Sequence, residues 1–204
     1  MSTAAIVNEQ QKISANAIYE EYIPLMKKTV WARKVDIAKD RDTIHRWMHL
    51  PHVAPYWNMS WSKDKIEQYL HEAEAREGFD CYLACVADQP IAYFELYQPY
   101  ADPVGETYDV QQGDLGVHVL IGEEKYQRRY IIRLSTMMMR LVFNHHPSTQ
   151  RIIGEPDINN KQIQSVMKFL GFSWMANVQL PDKIGALHSL SKESFMKSHG
   201  LVLR

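Results

Sequence analysis

The sequence predicts an α/β domain of the mixed α+β kind, with a central, mostly antiparallel twisted sheet, one parallel strand pair and helices on both faces. Residues 82–87 and 91–97 are apolar runs joined by a short polar turn, which is typical of a β-hairpin. Residues 115–121 place alternate side chains on opposite faces of a strand. A long helical pattern over 123–144 then precedes another strand at 151–154, an order that allows a parallel pairing.

The other elements follow from hydrophobic periodicity and capping residues. Ser62 can cap a helix, and Gly171 can end one. The remaining predicted helices span 11–28, 40–50, 62–77 and 160–170, with a helical tail from 191. The remaining predicted strands span 31–37, 172–180 and 186–190.

Charge and hydropathy limit the partners of the chain. Its 204 residues include 23 Lys and Arg against 24 Asp and Glu, a net charge of −1. This balance argues against binding nucleic acid or an anionic membrane by bulk charge. No window approaches the roughly 20 apolar residues of a membrane-spanning helix, and the N-terminus lacks the pattern of a secretory signal. We therefore expect a cytoplasmic protein with no nucleic-acid or membrane partner.

The cysteines and histidines predict neither a disulfide nor a metal site. Cys81 and Cys85 lie about 13 Å apart on a strand that rises ~3.3 Å per residue. A disulfide needs Cα atoms within about 7 Å, so we expect two thiols that face the core. His45, His49 and His52 are closely spaced, but they lack the acidic residue of a zinc-protease motif. We therefore predict no bound metal.

Four segments carry a family resemblance: HLPHVAPYWNMSW (49–61), IAYFELY (91–97), GDLGVHVLIGEEKY (113–126) and TQRIIGEPDINNKQIQSVMKFLGF (149–172). With the element order, they make the chain from about residue 30 onward resemble the GNAT acyl-CoA N-acyltransferases. Within that fold, they resemble the acyltransferases of hydroxamate siderophore biosynthesis. The resemblance implies a single GNAT domain over residues 30–204, preceded by an N-terminal helical extension over residues 1–29.

This resemblance implies acyl transfer from coenzyme A to the hydroxylamine nitrogen of N-hydroxylysine, N-hydroxyornithine or an N-hydroxy diamine. The product is a hydroxamate, which chelates ferric iron. We expect direct attack in a ternary complex, with acetyl-CoA as the first choice of co-substrate and succinyl-CoA as the second. No tightly bound cofactor is expected, and association with other siderophore assembly enzymes is a further expectation.

His118 and Asp157 are the most specific part of the resemblance, which implies that they form the catalytic pair. An imidazole can accept the proton that the attacking nitrogen loses, or it can hold the N–OH group. Asp157 would orient His118 or accept a hydrogen bond from the substrate. Without the resemblance, the residues favour a hydrogen-bonded core histidine and an acid near a helix N-terminus.

The resemblance also implies where coenzyme A binds. Backbone groups of Val119, Leu120 and Ile121 would pair with the pantetheine arm as an added strand does. Asn159 and Asn160 are assigned to the same arm, with capping of the following helix as an alternative of equal weight.

The segment expected to hold the coenzyme's pyrophosphate departs from the family pattern, in which Gln or Arg precedes two small residues. Gln127 fits this pattern, but Tyr130 and Ile132 occupy the positions that are normally small. Glycine there lets backbone N–H groups approach phosphate closely. We expect Arg128 and Arg129 to compensate, because guanidinium groups suit phosphate oxygens.

Three residues are assigned to the acceptor substrate. Trp57 and Trp61 belong to an aromatic loop that can enclose an aliphatic stem and face a cation at its far end. Glu95, in IAYFELY, is the third. Core packing is the alternative role for the tryptophans.

Two other functions remain open at this point. One is a GNAT enzyme that acetylates a plain amine such as a polyamine or a drug. The other is a non-catalytic GNAT-like domain that binds a partner, which the replaced small residues at Tyr130 and Ile132 would favour.

Overall fold

The computed structural model describes residues 16–199, whose strands all join one sheet. The strands are β1 (Tyr19–Ile23), β2 (Lys28–Lys34), β3 (Phe79–Val86), β4 (Gln89–Tyr97), β5 (Asp114–Ile121), β6 (Arg151–Gly154), β7 (Ser173–Gln179) and β8 (Ile184–Ser191). The helices are α1 (Ile37–Met48), α2 (Ala54–Trp57), α3 (Lys63–Ala75), α4 (Glu124–His145), α5 (Lys161–Leu170) and α6 (Lys192–His199). Two short 3-10 turns, Pro99–Ala101 and Pro103–Glu106, lie between β4 and β5.

The sheet has the order β1-β2-β3-β4-β5-β6-β8-β7. Every neighbouring pair is antiparallel except β5 and β6, which are parallel. This confirms the predicted mixed sheet with one parallel pair. It also confirms the crossover through the long helix α4, because antiparallel neighbours need only a short turn whereas parallel ones need a long connection.

Helices cover both faces of the sheet, as predicted. On one face, α4, α5 and α6 contribute apolar side chains to a large core with the inward residues of β2 to β6. On the other face, α1 and α3 pack with the aromatic loop against β3, β4 and β5. Among residues 16–199, no helix has the length and apolarity needed to cross a lipid bilayer.

The alternation predicted for β5 is confirmed. Leu115, Val117 and Ile121 belong to the core on the α4 side, whereas Leu120 packs on the α1 and α3 side. His118 shares the face of Leu120, because side chains two residues apart point the same way. The strand thereby sends this imidazole away from the main core.

The N-terminal helix predicted over residues 11–28 is wrong where the structure describes it, and residues 11–15 lie outside the described residues. Strand β1 pairs antiparallel with β2, and its exposure alternates. Ile23 is buried, while the neighbouring Tyr22 is 53% exposed. Apolar residues four apart suit a helix and also fit alternation, and Pro24 ends the segment where a helix would need its N–H group.

Pairing between β1 and β2 crosses residue 29, where we predicted the boundary between the extension and the domain. That boundary remains a prediction. The first predicted strand, 31–37, lies three residues too late, because α1 already begins at Ile37.

The predicted helix ends and the cysteine assignment agree with the structure. The Ser62 side chain accepts from the Lys65 N–H group at the start of α3. Gly171 ends α5 in the left-handed conformation, with φ of 95°, which glycine adopts without strain. Cys81 and Cys85 are both free thiols on β3, the first half-buried and the second buried.

Strands β5 and β6 separate after a short paired stretch. Their pairing has three positions and ends at Gly116 and Ile153. Beyond Gly116, β5 continues to Ile121, and over this stretch β4 is the only described strand that pairs with it. At the paired end, Arg151 donates to both carboxylate oxygens of Asp114 at 2.7 and 2.6 Å. The gap between the strands therefore opens from a fixed end.

Two glycines of β5 and its exit allow aromatic rings to lie against the strand. A Cβ atom at Gly116 would lie 2.2 Å from the ring of Tyr97, and one at Gly122 would lie 2.1 Å from the indole of Trp47. Both rings are fully buried. The Trp47 indole N–H also donates to Glu123, at 3.1 Å, just before α4 begins.

We expect Gly122→Ala to destabilise the fold by at least about 1–3 kcal/mol, the usual range for overpacking a core. The added methyl group can be accommodated only by displacing the buried Trp47 indole. Urea unfolding would measure the change. Gly154→Ala is the matched control, since its Cβ would meet the flexible end of Met167 at 2.9 Å. Equal losses for the two variants would contradict the argument.

Candidate active site

A cavity of about 440 Å³ runs through the gap between β5 and β6. Its lining comes from both faces of the sheet. On one side lie residues of α4 and α5, including Gln127, Asn160 and Ile163. On the other side lie the aromatic loop and a polar cluster centred on His118. The gap thus connects two half-sites through the plane of the sheet.

His118 lies between two buried glutamates. Its Nδ1 atom is 2.9 Å from Oε2 of Glu95, and its Nε2 atom is 2.7 Å from Oε1 of Glu155. The glutamate side chains are 1% and 2% exposed, whereas the His118 side chain is 27% exposed. His118 therefore presents its ring to the cavity while both of its nitrogens are engaged.

Hydroxyl and ammonium groups complete the partners of these carboxylates. Tyr69 and Tyr93 donate to Oε1 of Glu95 at 2.6 and 2.7 Å. Tyr97 donates to Oε2 of Glu155 at 2.8 Å. Lys183 lies 3.4 Å from Oε1 of Glu155. Each buried carboxylate thus receives three donors, which compensates the loss of its hydration.

This geometry gives His118 a positive charge. A carboxylate only accepts hydrogen bonds, so both ring nitrogens must carry a proton, as they do in an imidazolium. Burial alone would lower the pKa of His118, but the charge and hydrogen bonds of Glu155 and Glu95 outweigh burial and raise it from 6.5 to about 10. Burial opposes ionisation of Glu155, but His118, Lys183 and Tyr97 hold its pKa well below the usual range.

Asp157 does not orient His118, so that part of the predicted pair is wrong. Its Oδ1 atom accepts from the Asn159 N–H group at 2.7 Å, and its backbone forms an isolated bridge with Gly185. Asp157 does line the cavity, so a contact with substrate remains a prediction. The partner in its place is Glu155, because the residue following β6 reaches His118 directly.

Glu155, Lys183 and the three tyrosines were not identified from the sequence. Glu155 stands two residues before Asp157 in the segment that carried the resemblance, directly after a predicted strand. Tyr93 and Glu95 are two apart in β4, a spacing that places them on one face. Strand alternation could therefore have identified Tyr93 together with Glu95. Lys183 belongs to a turn, where no sequence pattern indicates its role.

The residues assigned to the acceptor lie at the cavity in different ways. Trp57 contacts the His118 ring edge-on, with centroids 6.2 Å apart. Trp61 also lines the cavity, and Lys65 stands 3.9 Å from its ring centroid. Glu95 is fully engaged with His118 and two tyrosines, so in this structure it holds the imidazole.

The strand edge assigned to the coenzyme lies open to the gap. Val119, Leu120 and Ile121 all line the cavity. The Ile121 carbonyl accepts from Nε2 of His52 at 3.1 Å. Asn160 lines the cavity and also caps α5, with Oδ1 accepting from the Ile163 N–H group at 3.2 Å. Capping is thus confirmed for Asn160, while contact with the pantetheine arm remains a prediction.

The segment assigned to the pyrophosphate is already helical. Because α4 begins at Glu124, residues 127–132 lie within it, and the N–H groups beyond its first turn bond to helix carbonyls. Arg128 is exposed and paired with Glu124 at 2.6 Å. Arg129 is exposed beside the Tyr130 ring. The binding roles of Gln127, Arg128 and Arg129 remain predictions.

A family model described as "Acetyltransferase (GNAT) domain" matches residues 36–180. The chain belongs to the GNAT acetyltransferase family. This confirms the fold and the enzyme class that the sequence predicted, and it makes acetyl-CoA the co-substrate class of the domain. That the coenzyme and the acceptor amine meet in the gap between β5 and β6 remains a prediction.

Individual relatives narrow the comparison. An N-hydroxyputrescine acetyltransferase of Acinetobacter baumannii is 24% identical, over 82% of this chain and 80% of the relative. An N(6)-hydroxylysine O-acetyltransferase of Escherichia coli is 25% identical over 90% of this chain. A solved structure of an uncharacterized protein from Bacillus halodurans has a TM-score of 0.83 and 30% identity, covering 88% of this chain and 93% of that one.

Several matched relatives are longer than this GNAT domain. The chain spans between 38% and 59% of the length of three of them, the Escherichia coli enzyme included.

The pKa of His118 predicts how stability depends on pH. The folded value of about 10 exceeds the ordinary value of 6.5. The imidazolium therefore stabilises the folded state fully below about pH 6.5, and this contribution is lost as the pH rises through 10. We expect nuclear magnetic resonance at pH 8 to find protons on both ring nitrogens of His118. A neutral ring at pH 8, with one unprotonated nitrogen, would contradict the charge assignment.

Proposed function

We propose that this GNAT domain transfers an acetyl group from acetyl-CoA to the hydroxylamine nitrogen of an N-hydroxylated amine. The product is a hydroxamate, and the reaction is a step in siderophore assembly. We further propose that the protein works in the cytoplasm, that residues 30–204 form the acyltransferase domain, and that it associates with the enzymes that use the hydroxamate.

The hydrogen bonds of both His118 ring nitrogens to buried glutamate carboxylates are the observation that carries this proposal, because they give the ring its charge. A plain alkylamine is an ammonium ion at neutral pH. A base must remove a proton from this ion before its nitrogen can attack the thioester. His118 holds a proton on each nitrogen and cannot serve in that way at neutral pH. Burial would raise the pKa of Glu155, but His118 and Lys183 hold it low, so its carboxylate is too weak a base to deprotonate an ammonium ion. A hydroxylamine nitrogen is less basic and arrives uncharged. The site therefore suits an N-hydroxylated amine better than a plain one.

The names of the relatives support the same acceptor class, since two of them act on N-hydroxyputrescine and N(6)-hydroxylysine. We propose that Trp57 and Trp61 enclose the aliphatic stem of such a substrate. Val119 and Ile121 would bind the pantetheine arm through backbone groups, as an added strand does. Arg128 and Arg129 would contact the pyrophosphate after releasing their present partners.

A paired acceptor assay tests the function. We expect N-hydroxyputrescine, N-hydroxycadaverine, N-hydroxylysine or N-hydroxyornithine to release thiol from acetyl-CoA at least about tenfold faster than its own non-hydroxylated form, because only the hydroxylated nitrogen arrives uncharged and ready to attack. Ferric iron should turn the product solution red, since a hydroxamate chelates the metal.

The colour also separates two products of the N-hydroxylated amine. An O-acetylated hydroxylamine would release thiol without forming the ferric complex. Equal or faster turnover of the plain amines would instead favour the polyamine or drug acetyltransferase. No thiol release with any acceptor would indicate a non-catalytic domain.

The charges around the cavity bear on the acyl group. Two cations, His118 and Lys183, face four carboxylates, a net charge of −2. The four carboxylates belong to Glu95, Glu155, Asp157 and Asp182. A succinyl group would add a further negative charge, whereas an acetyl group adds none. The electrostatic balance therefore favours acetyl-CoA over succinyl-CoA.

We expect kcat/KM to be at least about tenfold higher for acetyl-CoA than for succinyl-CoA. Asp182→Asn should narrow this ratio, because it removes a negative charge at the cavity. Glu77→Gln is the matched control: it makes the same charge change at an exposed residue outside the cavity lining. A preference for succinyl-CoA, or equal ratios in the two variants, would refute the electrostatic argument.

A further inference from the structure

The hydrogen bond between His118 and Glu155 spans the gap between β5 and β6. The last paired residues of these strands are Gly116 and Ile153. His118 and Glu155 each stand two residues beyond that pair, so they would be the next neighbours on the same face. The backbones have separated there, and the side chains meet instead, with Nε2 and Oε1 2.7 Å apart.

This bond joins a proton donor to a proton acceptor. Both nitrogens of His118 face carboxylate oxygens, so the ring carries two protons. Glu155 accepts from His118, Tyr97 and Lys183 and is therefore ionised. Attack of an amine on a thioester needs these two functions, because the nitrogen loses a proton and the leaving sulfur gains one.

We propose that Glu155 is the catalytic base and His118 the catalytic acid of acyl transfer, and that their shared hydrogen bond returns the proton between turnovers. This rests on the proposed function for the identity of the acceptor. It reverses the base role that the sequence suggested for His118, and it gives Glu155 a role in the chemistry.

The step balances in atoms and electrons. The nitrogen lone pair forms the new bond to the thioester carbon, and the electron pair of the carbon–sulfur bond leaves with sulfur. The proton on nitrogen passes to the Glu155 carboxylate. The Nε2 proton of His118 passes to the thiolate. Glu155 then returns its proton to Nε2, so one proton has moved from nitrogen to sulfur and both residues are restored.

Glu155 rather than Glu95 is placed for this step. Glu95 lies opposite His118 on β4, on the side of β5 away from the gap, and Tyr69 and Tyr93 donate to it. Glu155 follows β6 and reaches His118 across the gap through which the cavity runs. We assign Glu95 a positioning role, in which it holds Nδ1 and keeps the ring charged.

The groups around the imidazole come from several elements. Titratable and charged groups that bear on His118, directly or through its carboxylate partners, are Glu95, Tyr93 and Tyr97 of β4, Tyr69 of α3, Asp102 between the 3-10 turns, Glu155 after β6 and Lys183 before β8. Two of the three carboxylates bond directly to the ring, which explains its charge.

Changing the leaving group tests the acid role of His118. With acetyl-CoA, we expect His118→Gln to lower kcat by about 10²-fold or more. An aryl thioester releases a thiolate that leaves without a proton. With this donor, the loss of kcat in the variant relative to wild type should be at least about tenfold smaller than with acetyl-CoA. A deficit that is independent of the leaving group, or a wild-type kcat that rises as His118 loses its proton, would overturn the assignment.

Three glutamate variants test the base. Glu155→Gln should lower kcat about 10²-fold with KM for acetyl-CoA little changed, and Glu155→Asp should recover part of the loss. Formate should restore activity to a Glu155→Ala variant, because a small carboxylate can take the proton. Glu95→Gln is the matched comparison. Equal kcat losses in the two Gln variants, with no rescue by formate, would indicate a purely structural pair.

These variant ratios can be measured with any amine that the wild-type enzyme accepts. Failure of the hydroxamate assay would therefore refute the proposed acceptor only. The acid and base roles of His118 and Glu155 would still be judged from the kcat ratios of the variants to wild type. The comparison requires that each variant folds as the wild type does. Thermal unfolding of each variant checks this.

Discussion

Glu95 and Glu155 are almost fully removed from water, and a single imidazolium lies between them. Two carboxylates cannot both stay ionised at such depth unless a cation and several donors replace their hydration. His118 supplies that cation, and Tyr69, Tyr93, Tyr97 and Lys183 supply the donors. Removing any one charged member leaves an uncompensated charge inside the protein. The cluster therefore ties together β4, β5, α3, the segment after β6 and the segment before β8.

The same cluster explains how a sheet can open without losing its order. Arg151 and Asp114 hold the paired end of β5 and β6 through two hydrogen bonds. Past Gly116, the backbone pairing is replaced by the contact between His118 and Glu155. The strands are therefore joined first by the backbone and then by side chains, and the opening continues along β5 beyond this contact to Ile121. A ligand that enters the gap meets a fixed frame rather than two free edges.

The sequence predicted much of this frame because its signals are local. Alternation in β5 predicted the face of His118, and periodicity predicted α4 and the parallel pair that it connects. The N-terminal strand was missed because apolar residues four apart fit both a helix and a strand, and only pairing with β2 decides between them. The carboxylate partner was placed two residues too late, at Asp157, because partner choice depends on where β6 ends relative to β5. No local pattern contains that register.

Gly116 belongs to the chemistry of the site although it has no side chain. The Tyr97 ring lies where a Cβ atom of residue 116 would be. From there its centroid is 4.7 Å from that of the His118 ring, the two rings are tilted by 37°, and its hydroxyl donates to Glu155. A larger residue at 116 would push the tyrosine away from both groups. A substitution at Gly116 is therefore tolerated only with a change at Tyr97. We expect these two positions, nineteen residues apart, to vary together in evolution.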